Sequence, residues 1–407
     1  MTHYPYLIIG GGMTAAAAVE GIQAVDPQGV IGIISAEPDP PYNRPPLSKG
    51  LWKGDPTMEG IWTDTPARGV HLHLGRTAQA LDPARKQVTD DQGTMYTYDK
   101  LLLATGTRPR RFRFPDPGVI YYRTVADYRQ LRALADRADH FAVIGAGFIG
   151  TEVSAALAQI GKRVTLLFPE AAIGQRIYPA DLAAFLNQYY QEHGVDVRPG
   201  TGVTGIVTQG HQTVVQLSTG ESLVVDGVVA GLGVQPNTEL AQAAGLTVDN
   251  GVVVDALLRT SAPDIYAAGD LARYPDPLFG MRRVEHENQA NQQGKRAGRA
   301  MAGDAKPYKH IPFFYSDLFD LGYEAVGDLD ARLETVADWK DPFREGVIYY
   351  LREGRVRGVL LWNVWDQVKE ARKLLAEAGP FTREALRGRL PVATADAPAP
   401  AAAPALV

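Results

Sequence analysis

The sequence predicts an α/β fold made of two copies of one strand–turn–helix–strand unit, one inserted in the span of the other, followed by a C-terminal α+β domain. Three observations carry this. An apolar run, Tyr6-Leu7-Ile8-Ile9, opens directly into Gly10-Gly11-Gly12-Met13-Thr14-Ala15. The same order returns at Phe141-Ala142-Val143-Ile144 and Gly145-Ala146-Gly147-Phe148-Ile149-Gly150. From Pro312 onward the texture changes to aromatic-rich strand patterns, such as Gly346-Val347-Ile348-Tyr349-Tyr350 and Val359-Leu360-Leu361-Trp362.

Taken in order, the first turn leads into alanines and Val19, which read as a helix to about residue 24. A strand at 30–34 follows and ends in Ser35-Ala36-Glu37. Strand, glycine turn, helix, strand and acid together make the βαβ dinucleotide-binding unit, a Rossmann-like module in its G-x-G-x-x-A form. Its glycines let the backbone turn tightly and approach a pyrophosphate, which sits on the positive end of the helix. Glu37 falls where an acid bonds ribose hydroxyls. The second turn leads into a helix to about residue 160, a strand at 164–168, and an acid, Glu170. A later pair of segments also matches. Leu101-Leu102-Leu103-Ala104-Thr105-Gly106 ends in Arg108-Pro109, and Val228-Val229-Ala230-Gly231-Leu232-Gly233 ends in Gln235-Pro236. Two full strand–turn–helix–strand–acid contexts are far stronger than one isolated glycine motif. Past them, Ile265-Tyr266-Ala267-Ala268-Gly269-Asp270 reads as a strand ending in Gly-Asp, with a helix near 289–301. The aromatic domain adds one helix at 364–377.

Composition narrows the function. The chain has 407 residues, enough for two to three domains, with 45% hydrophobic and 21% charged residues, a globular balance. A net charge of −5 is too mild to imply a nucleic-acid partner. The uncharged stretch from Tyr4 to Val19 is broken by Pro5 and three glycines and falls short of the ~18 residues of a membrane span. It lacks the flanks of a signal peptide, so a cytoplasmic location is expected. Cysteine is absent, which removes disulfide scaffolds, zinc–thiolate sites, iron–sulfur clusters and thiol mechanisms. Among the histidines only His71 and His73 have ligand-like spacing, sharing one face of a strand. With no third ligand they read as surface residues, and no metal is predicted. Arg108, Arg110, Arg111 and Arg113 form a basic run, either a solvated linker face or a patch that steers an acidic redoxin. The Pro/Ala-rich end, 394–407, is expected to be disordered.

Several local segments carry a resemblance. Pro41-Tyr42-Asn43-Arg44-Pro45-Pro46-Leu47-Ser48-Lys49 resembles the P-Y-x-R-P-x-L-S-K run of the ferredoxin, putidaredoxin and rubredoxin reductase family and of apoptosis-inducing factor. Leu167-Phe168-Pro169-Glu170, Arg283-Val284-Glu285-His286 and Gly358-Val359-Leu360-Leu361-Trp362-Asn363 are most similar to the apoptosis-inducing factor branch. The resemblance covers about residues 4–380. Disulfide-reductase branches of this fold need redox cysteines and are excluded by the composition.

The resemblance implies FAD in a discontinuous domain, 1–112 and 234–308, NADH in 113–233, and a C-terminal domain at 309–393. Gly10, Gly12, Ala15 and Glu37 would hold the FAD pyrophosphate and adenosine ribose, and Ala104, Thr105 and Gly106 would close over the cofactor. Asp270 would bond the ribitol, Glu285 and His286 would reach the flavin region, and Arg44 would lie against phosphate or flavin. Tyr315 stands where relatives mostly have tryptophan, an aromatic at the flavin. Gly145, Gly147, Phe148, Ile149, Gly150 and Gly233 would hold NADH, with Glu170 on its ribose. A carboxylate there repels a 2′-phosphate, so NADH is expected over NADPH.

The resemblance makes Lys49 and Glu152 the catalytic pair, a fixed cation near flavin N5 and a carboxylate that orients it and meets the nicotinamide carboxamide. Taken alone, Lys49 is a solvated loop lysine and Glu152 a carboxylate in the first turn of a helix, where the macrodipole favours it anyway. The implied activity is hydride transfer from NADH to FAD, then electron delivery to a ferredoxin-like redoxin, a quinone or oxygen. The alternative is a redox sensor like apoptosis-inducing factor, with slow turnover and a long-lived charge-transfer complex. Either a monomer or a homodimer is compatible with both.

Overall fold

The N-terminal apolar run becomes the centre of a parallel sheet. In the computed structural model, which describes residues 2–210 and 212–390, Thr2–Ile9 pairs in parallel with Ile31–Ser35 and with Met95–Leu103. His71–Leu74 extends the sheet beyond Ile31–Ser35. Ile265–Ala267, from after the second module, returns to pair with Leu101, Leu102 and Leu103. Leu7, Ile8, Leu101, Leu102 and Ala267 are wholly buried, as parallel strands covered on both faces must be.

The second sheet repeats the plan. Arg163–Leu167, His140–Ile144 and Gly227–Ala230 lie parallel, flanked by Val195–Arg198 and Val119–Tyr121. An antiparallel meander, Val203–Gln209, Gln212–Leu217 and Ser222–Val225, covers part of its core. The chain enters and leaves this module through one antiparallel ribbon, Thr107–Pro109 with Val234–Pro236, in which Arg108 faces Gln235. These are the ends of the two matching sequence segments, so the repeat meets itself. Asn237 locks the ribbon's base by donating Nδ2–H to the Thr105 carbonyl at 2.7 Å.

Helix Met13–Gln23 packs on helix Glu287–Met301. Its run of alanines, with Gly294 and Gly298 opposite, lets the two backbones touch. A Cβ on either glycine would fall on a backbone carbonyl, of Thr14 or of Ala18. The buried Gln293 of the second helix accepts the Gly269 N–H at 2.9 Å, which seats the turn carrying Asp270.

Residues up to Ile173 and Leu186–Pro312 form one compact unit; Gly174–Phe185 and the chain from Phe313 form another. The second unit is an antiparallel sheet in the order Phe313–Leu318, Leu321–Gly327, Arg355–Trp362, Glu345–Arg352, Glu334–Asp341. Helix Val368–Ala376 packs against it. The segment Gly174–Phe185, which sequence reading did not single out, belongs to this unit through aromatic contacts. Tyr178 meets Tyr323 and Trp362 edge-on, and Phe185 stacks on Phe343 at 5.1 Å. The expected disordered end, 394–407, lies outside the described residues. No helix among the described residues is long and apolar enough to cross a membrane.

Candidate active site

Both glycine turns are built alike. Gly10 and Gly145 adopt φ of +114° and +104°, and a Cβ on either would fall on the facing carbonyl, of Ala104 or of Gly231. Only glycine meets both demands. Gly12 and Gly147 begin the two helices without any side-chain cap, which leaves the first-turn N–H groups available. A Cβ on Gly147 would meet nothing within 4 Å, and one on Gly12 only Arg44 Nη2 at 3.8 Å. That is the open cradle a pyrophosphate needs against a helix N-terminus, so the residues present fit FAD at one turn and a nicotinamide dinucleotide at the other. The third motif position differs. Ala15 is tolerated and fully buried, whereas a Cβ on Gly150 would fall on the Gly145 carbonyl.

Around the first turn the charges are paired. Glu37 accepts the Tyr42 hydroxyl at 2.5 Å and the Arg44 guanidinium. Arg44 also donates to Tyr42 Oη at 3.0 Å and to the Arg123 carbonyl at 3.2 Å. Burial raises the Tyr42 phenol, against the pull of Arg44, so it stays protonated and donates. Asp270 takes Arg123 at 3.0 Å and the Thr107 hydroxyl at 3.2 Å. Arg123 Nη2 is also the nearest atom to a Cβ on Gly106, at 3.9 Å. Sequence reading missed Arg123 and Thr107, which sit in no motif and acquire their position only when the two modules meet.

Glu285 and His286 stand at the start of helix Glu287–Met301. Arg283 pairs with Glu285 at 2.5 Å and donates to the Asp270 carbonyl at 2.9 Å, so Asp270 and Glu285 share one buried cation. About a third of the Glu285 side chain touches solvent, yet it lies in a recess whose walls raise its carboxyl pKa by desolvation. His286 meets Phe148 edge-on at 6.1 Å. Burial pushes its imidazole down to about 4, against the pull of Asp270, and the ring is neutral at pH 7.

Lys49 and Glu152 do come together. Lys49 Nζ lies 2.8 Å from Glu152 Oε1, with side chains 12% and 3% exposed, which is not a solvated loop lysine. Ser48 Oγ donates to Glu152 Oε2 at 2.6 Å. Glu152 lies beyond the first helical turn, so the macrodipole alone does not account for a carboxylate there. Phe168 at the strand end is fully buried, which explains why the acid comes later. Glu170 is the half-buried residue there, its carbonyl accepting Gly200 N–H at 2.8 Å. Gly233, at φ +81°, ends the second sheet beside Arg110.

The remaining candidates separate. Arg108 pairs with Asn237 and Glu239, Arg110 donates to the Val234 carbonyl at 3.1 Å, and Arg111 lies over the Tyr121 ring, while Arg113 is exposed. His73 is half-buried, hydrogen-bonded to Tyr4 Oη at 2.8 Å and edge-on to Tyr96. It is therefore a packed residue, while His71 is exposed. Among the described residues no group of three or more metal-ligating side chains forms. Tyr315 belongs to the C-terminal unit, opposite Glu324 on the neighbouring strand.

The chain is similar to known proteins over most of its length. The pyridine nucleotide-disulphide oxidoreductase family profile matches residues 4–294. The profile for the C-terminal part of apoptosis-inducing factor, mitochondrion-associated, matches 297–342 and 337–377. The ferredoxin–NAD(+) reductase component of an anthranilate 1,2-dioxygenase system from Burkholderia cepacia is 37% identical, covering 92% of this chain and 95% of its own. The ferredoxin reductase subunit of a 5,5′-dehydrodivanillate O-demethylase from Sphingobium sp. is 34% identical, covering 95% and 96%. A solved ferredoxin reductase from Rhodopseudomonas palustris gives a TM-score of 0.86 at 30% identity, covering 93% of this chain and 96% of that one. The covalent putidaredoxin reductase–putidaredoxin complex gives 0.84 at 31%, covering 92% of each.

Proposed function

The chain belongs to the pyridine nucleotide-disulphide oxidoreductase family, and from that premise we propose that this FAD-dependent oxidoreductase takes its electrons from NADH and passes them to a small redoxin. The observation that carries the reading is the buried Lys49–Glu152 pair, 2.8 Å apart, which joins the loop after the first module's acid to the helix after the second module's glycine turn. When bound, FAD accepts a hydride from the nicotinamide and releases electrons to a second acceptor.

Everything else falls to the chain's own residues. The turn at Gly10, Gly12 and Ala15 receives the FAD pyrophosphate on the helix N-terminus, with the Arg44 guanidinium beside it. Tyr42 and Arg44 fix the plane of the Glu37 carboxylate so that its remaining lone pairs face ribose hydroxyls. Asp270, steadied by Arg123 and Thr107, accepts from ribityl hydroxyls, and Ala104, Thr105 and Gly106 line the same cofactor. Gly145, Gly147, Phe148, Ile149, Gly150 and Gly233 hold the incoming dinucleotide. Glu170 accepts its ribose hydroxyls and repels a 2′-phosphate, which favours NADH over NADPH. Lys49 presents a fixed positive charge where the flavin ring gains electrons. Glu152 holds that ammonium in place and takes the carboxamide N–H. Glu285 and the neutral His286 border the ring. Residues 1–112 and 234–308 then serve FAD, 113–233 apart from Gly174–Phe185 serve NADH, and Gly174–Phe185 with the chain from Phe313 makes the third domain of a cytoplasmic monomer or homodimer.

The redoxin is chosen as acceptor because two of the relatives are named as ferredoxin reductases. The match of 297–377 to the C-terminal profile of apoptosis-inducing factor favours a second reading, an NADH-responsive sensor with slow turnover. Anaerobic stopped-flow reduction by NADH and by NADPH, followed by addition of a one-electron acceptor, separates them. Fast bleaching with prompt reoxidation, faster with NADH, supports the reductase. Slow bleaching with a persistent long-wavelength band supports the sensor. No flavin spectrum after reconstitution with FAD would defeat both.

A further inference from the structure

We infer that Ser48 is a positioning residue for hydride transfer, holding the Glu152 carboxylate in the one orientation that keeps Lys49 fixed beside the flavin. The inference rests on the roles proposed above for Lys49 and Glu152. Ser48 is 4% exposed, and its single hydroxyl proton goes to Glu152 Oε2 at 2.6 Å, while the next residue, Lys49, takes Oε1 at 2.8 Å. Two donors, one on each oxygen, fix the rotation of a carboxylate; one donor does not. Both come from consecutive residues of one short turn, so their spacing is set by backbone geometry.

That turn is itself held. The Leu47 carbonyl accepts Trp52 Nε1 at 2.8 Å and the Tyr122 hydroxyl, and the Tyr128 hydroxyl donates to the Leu51 carbonyl at 3.3 Å. Tyr122 and Tyr128 flank the start of helix Val125–Ala135, so the donors of the pair are braced against the second module, which also carries the acceptor. In a site this dry, each hydrogen bond to a carboxylate is strengthened, and the loss of one weakens the hold on its orientation. Without the Ser48 hydroxyl the carboxylate turns about its terminal bond and the Lys49 ammonium moves with it. A displacement of that size at a reacting centre lowers rate rather than binding.

The test uses the FAD-loaded protein and the variants Ser48→Ala, Ser48→Thr and Lys49→Ala. It reads the limiting rate of flavin reduction, the NADH concentration at half that rate, and the flavin reduction potential by equilibrium dye titration. Ser48→Ala is expected to lower the limiting rate about tenfold, to leave half-saturation within about twofold, and to shift the potential negative. Ser48→Thr, which keeps the hydroxyl, restores all three. If Ser48→Ala fails to retain FAD, Ser48→Cys, similar in size and a weak donor, carries the same expectation. Unchanged rate and potential in Ser48→Ala, with Lys49→Ala impaired, overturn the inference and leave the role of Lys49 standing. An unimpaired Lys49→Ala overturns the role of Lys49 itself. Equal loss in Ser48→Ala and Ser48→Thr assigns Ser48 to packing and also overturns the inference.

Discussion

The two glycine turns share backbone and differ in what stands over them. Above the first, Arg44 reaches over Gly12 and Arg123 over Gly106, and each guanidinium is already engaged by a carboxylate, Glu37 or Asp270. Above the second, Gly147 faces open space, and Phe148 leaves 37% of its surface exposed. One turn is furnished with charges already placed by their neighbours; the other is a helix end with open space over its glycine, beside a part-exposed phenylalanine. Preorganised charge lengthens residence, because little ordering remains to be done on binding. A tightly held cofactor gains from that arrangement, and a dinucleotide that must leave after every turnover does not. On the proposed assignment, similar local geometry thus serves two lifetimes, and the difference is written in side chains that come from elsewhere in the chain.

Four substitutions break or sharpen this contrast. The largest effect is expected from Gly150→Ala, whose Cβ would fall on the Gly145 carbonyl. NADH-driven flavin reduction should fall at least ~100-fold, the scale of a ~3 kcal/mol overpacking cost, while dithionite still reduces a fully loaded flavin. Loss of FAD in this variant would show the two turns to be coupled. Asp270→Ala acts on the other side. Removing it leaves Arg123 without its carboxylate, and FAD affinity, read by flavin release on dialysis, should drop roughly thirtyfold with little change in NADH affinity for the remaining holoprotein. Glu170→Ala should lower the NADH-to-NADPH rate ratio about tenfold by removing a like charge from the 2′-phosphate, without touching FAD content.

The smallest effect concerns pH. His286 has a folded pKa of about 4 against 6.5 when unfolded. The folded protein therefore binds its proton later, and the stability this group contributes is present above about pH 6.5 and lost as pH falls toward 4. His286→Asn removes that dependence, and the melting temperature of the apoprotein should fall less between pH 6.5 and 4, by roughly 2–5 °C. A parallel pH dependence in both proteins would contradict it.

Local features were legible in the sequence for a physical reason. A glycine turn between a strand and a helix is dictated by positive φ and close approach, demands that fall on the residues themselves, so both turns and the acids after them could be read directly. Lys49 and Glu152 needed a resemblance, because their pairing spans the two modules. Arg123 and Thr107 left no signal at all, and Ser48 stood in the run of residues 41–49 without a role. Their partners, Asp270 and Glu152, lie far away in sequence, and nothing in a Tyr-Tyr-Arg-Thr stretch foretells which carboxylate it will meet. Helix Phe148–Gln159 shows the limit from the other side: the sequence located it well, yet Glu152 lies one turn deeper than the macrodipole argument assumes. The passage of Gly174–Phe185 into the C-terminal unit was equally silent, since aromatic residues in a loop and the helix start after it announce burial but not the sheet they will join.

The ribbon of Thr107–Pro109 and Val234–Pro236 has an evolutionary consequence. The chain departs and returns across adjacent hydrogen-bonded strands, with Arg110 N–H on the Gly233 carbonyl at 2.9 Å, so the insert has one covalent stem, while pairs such as Lys49–Glu152 and Arg123–Asp270 tie it back to the host. An insert joined at one edge leaves the order of the host strands unchanged, and the gap at its stem is one a short hairpin turn spans. The two stem segments are themselves alike, an apolar strand running into glycine and then Arg108-Pro109 in one and Gln235-Pro236 in the other, as insertion of one such unit into its twin would leave them.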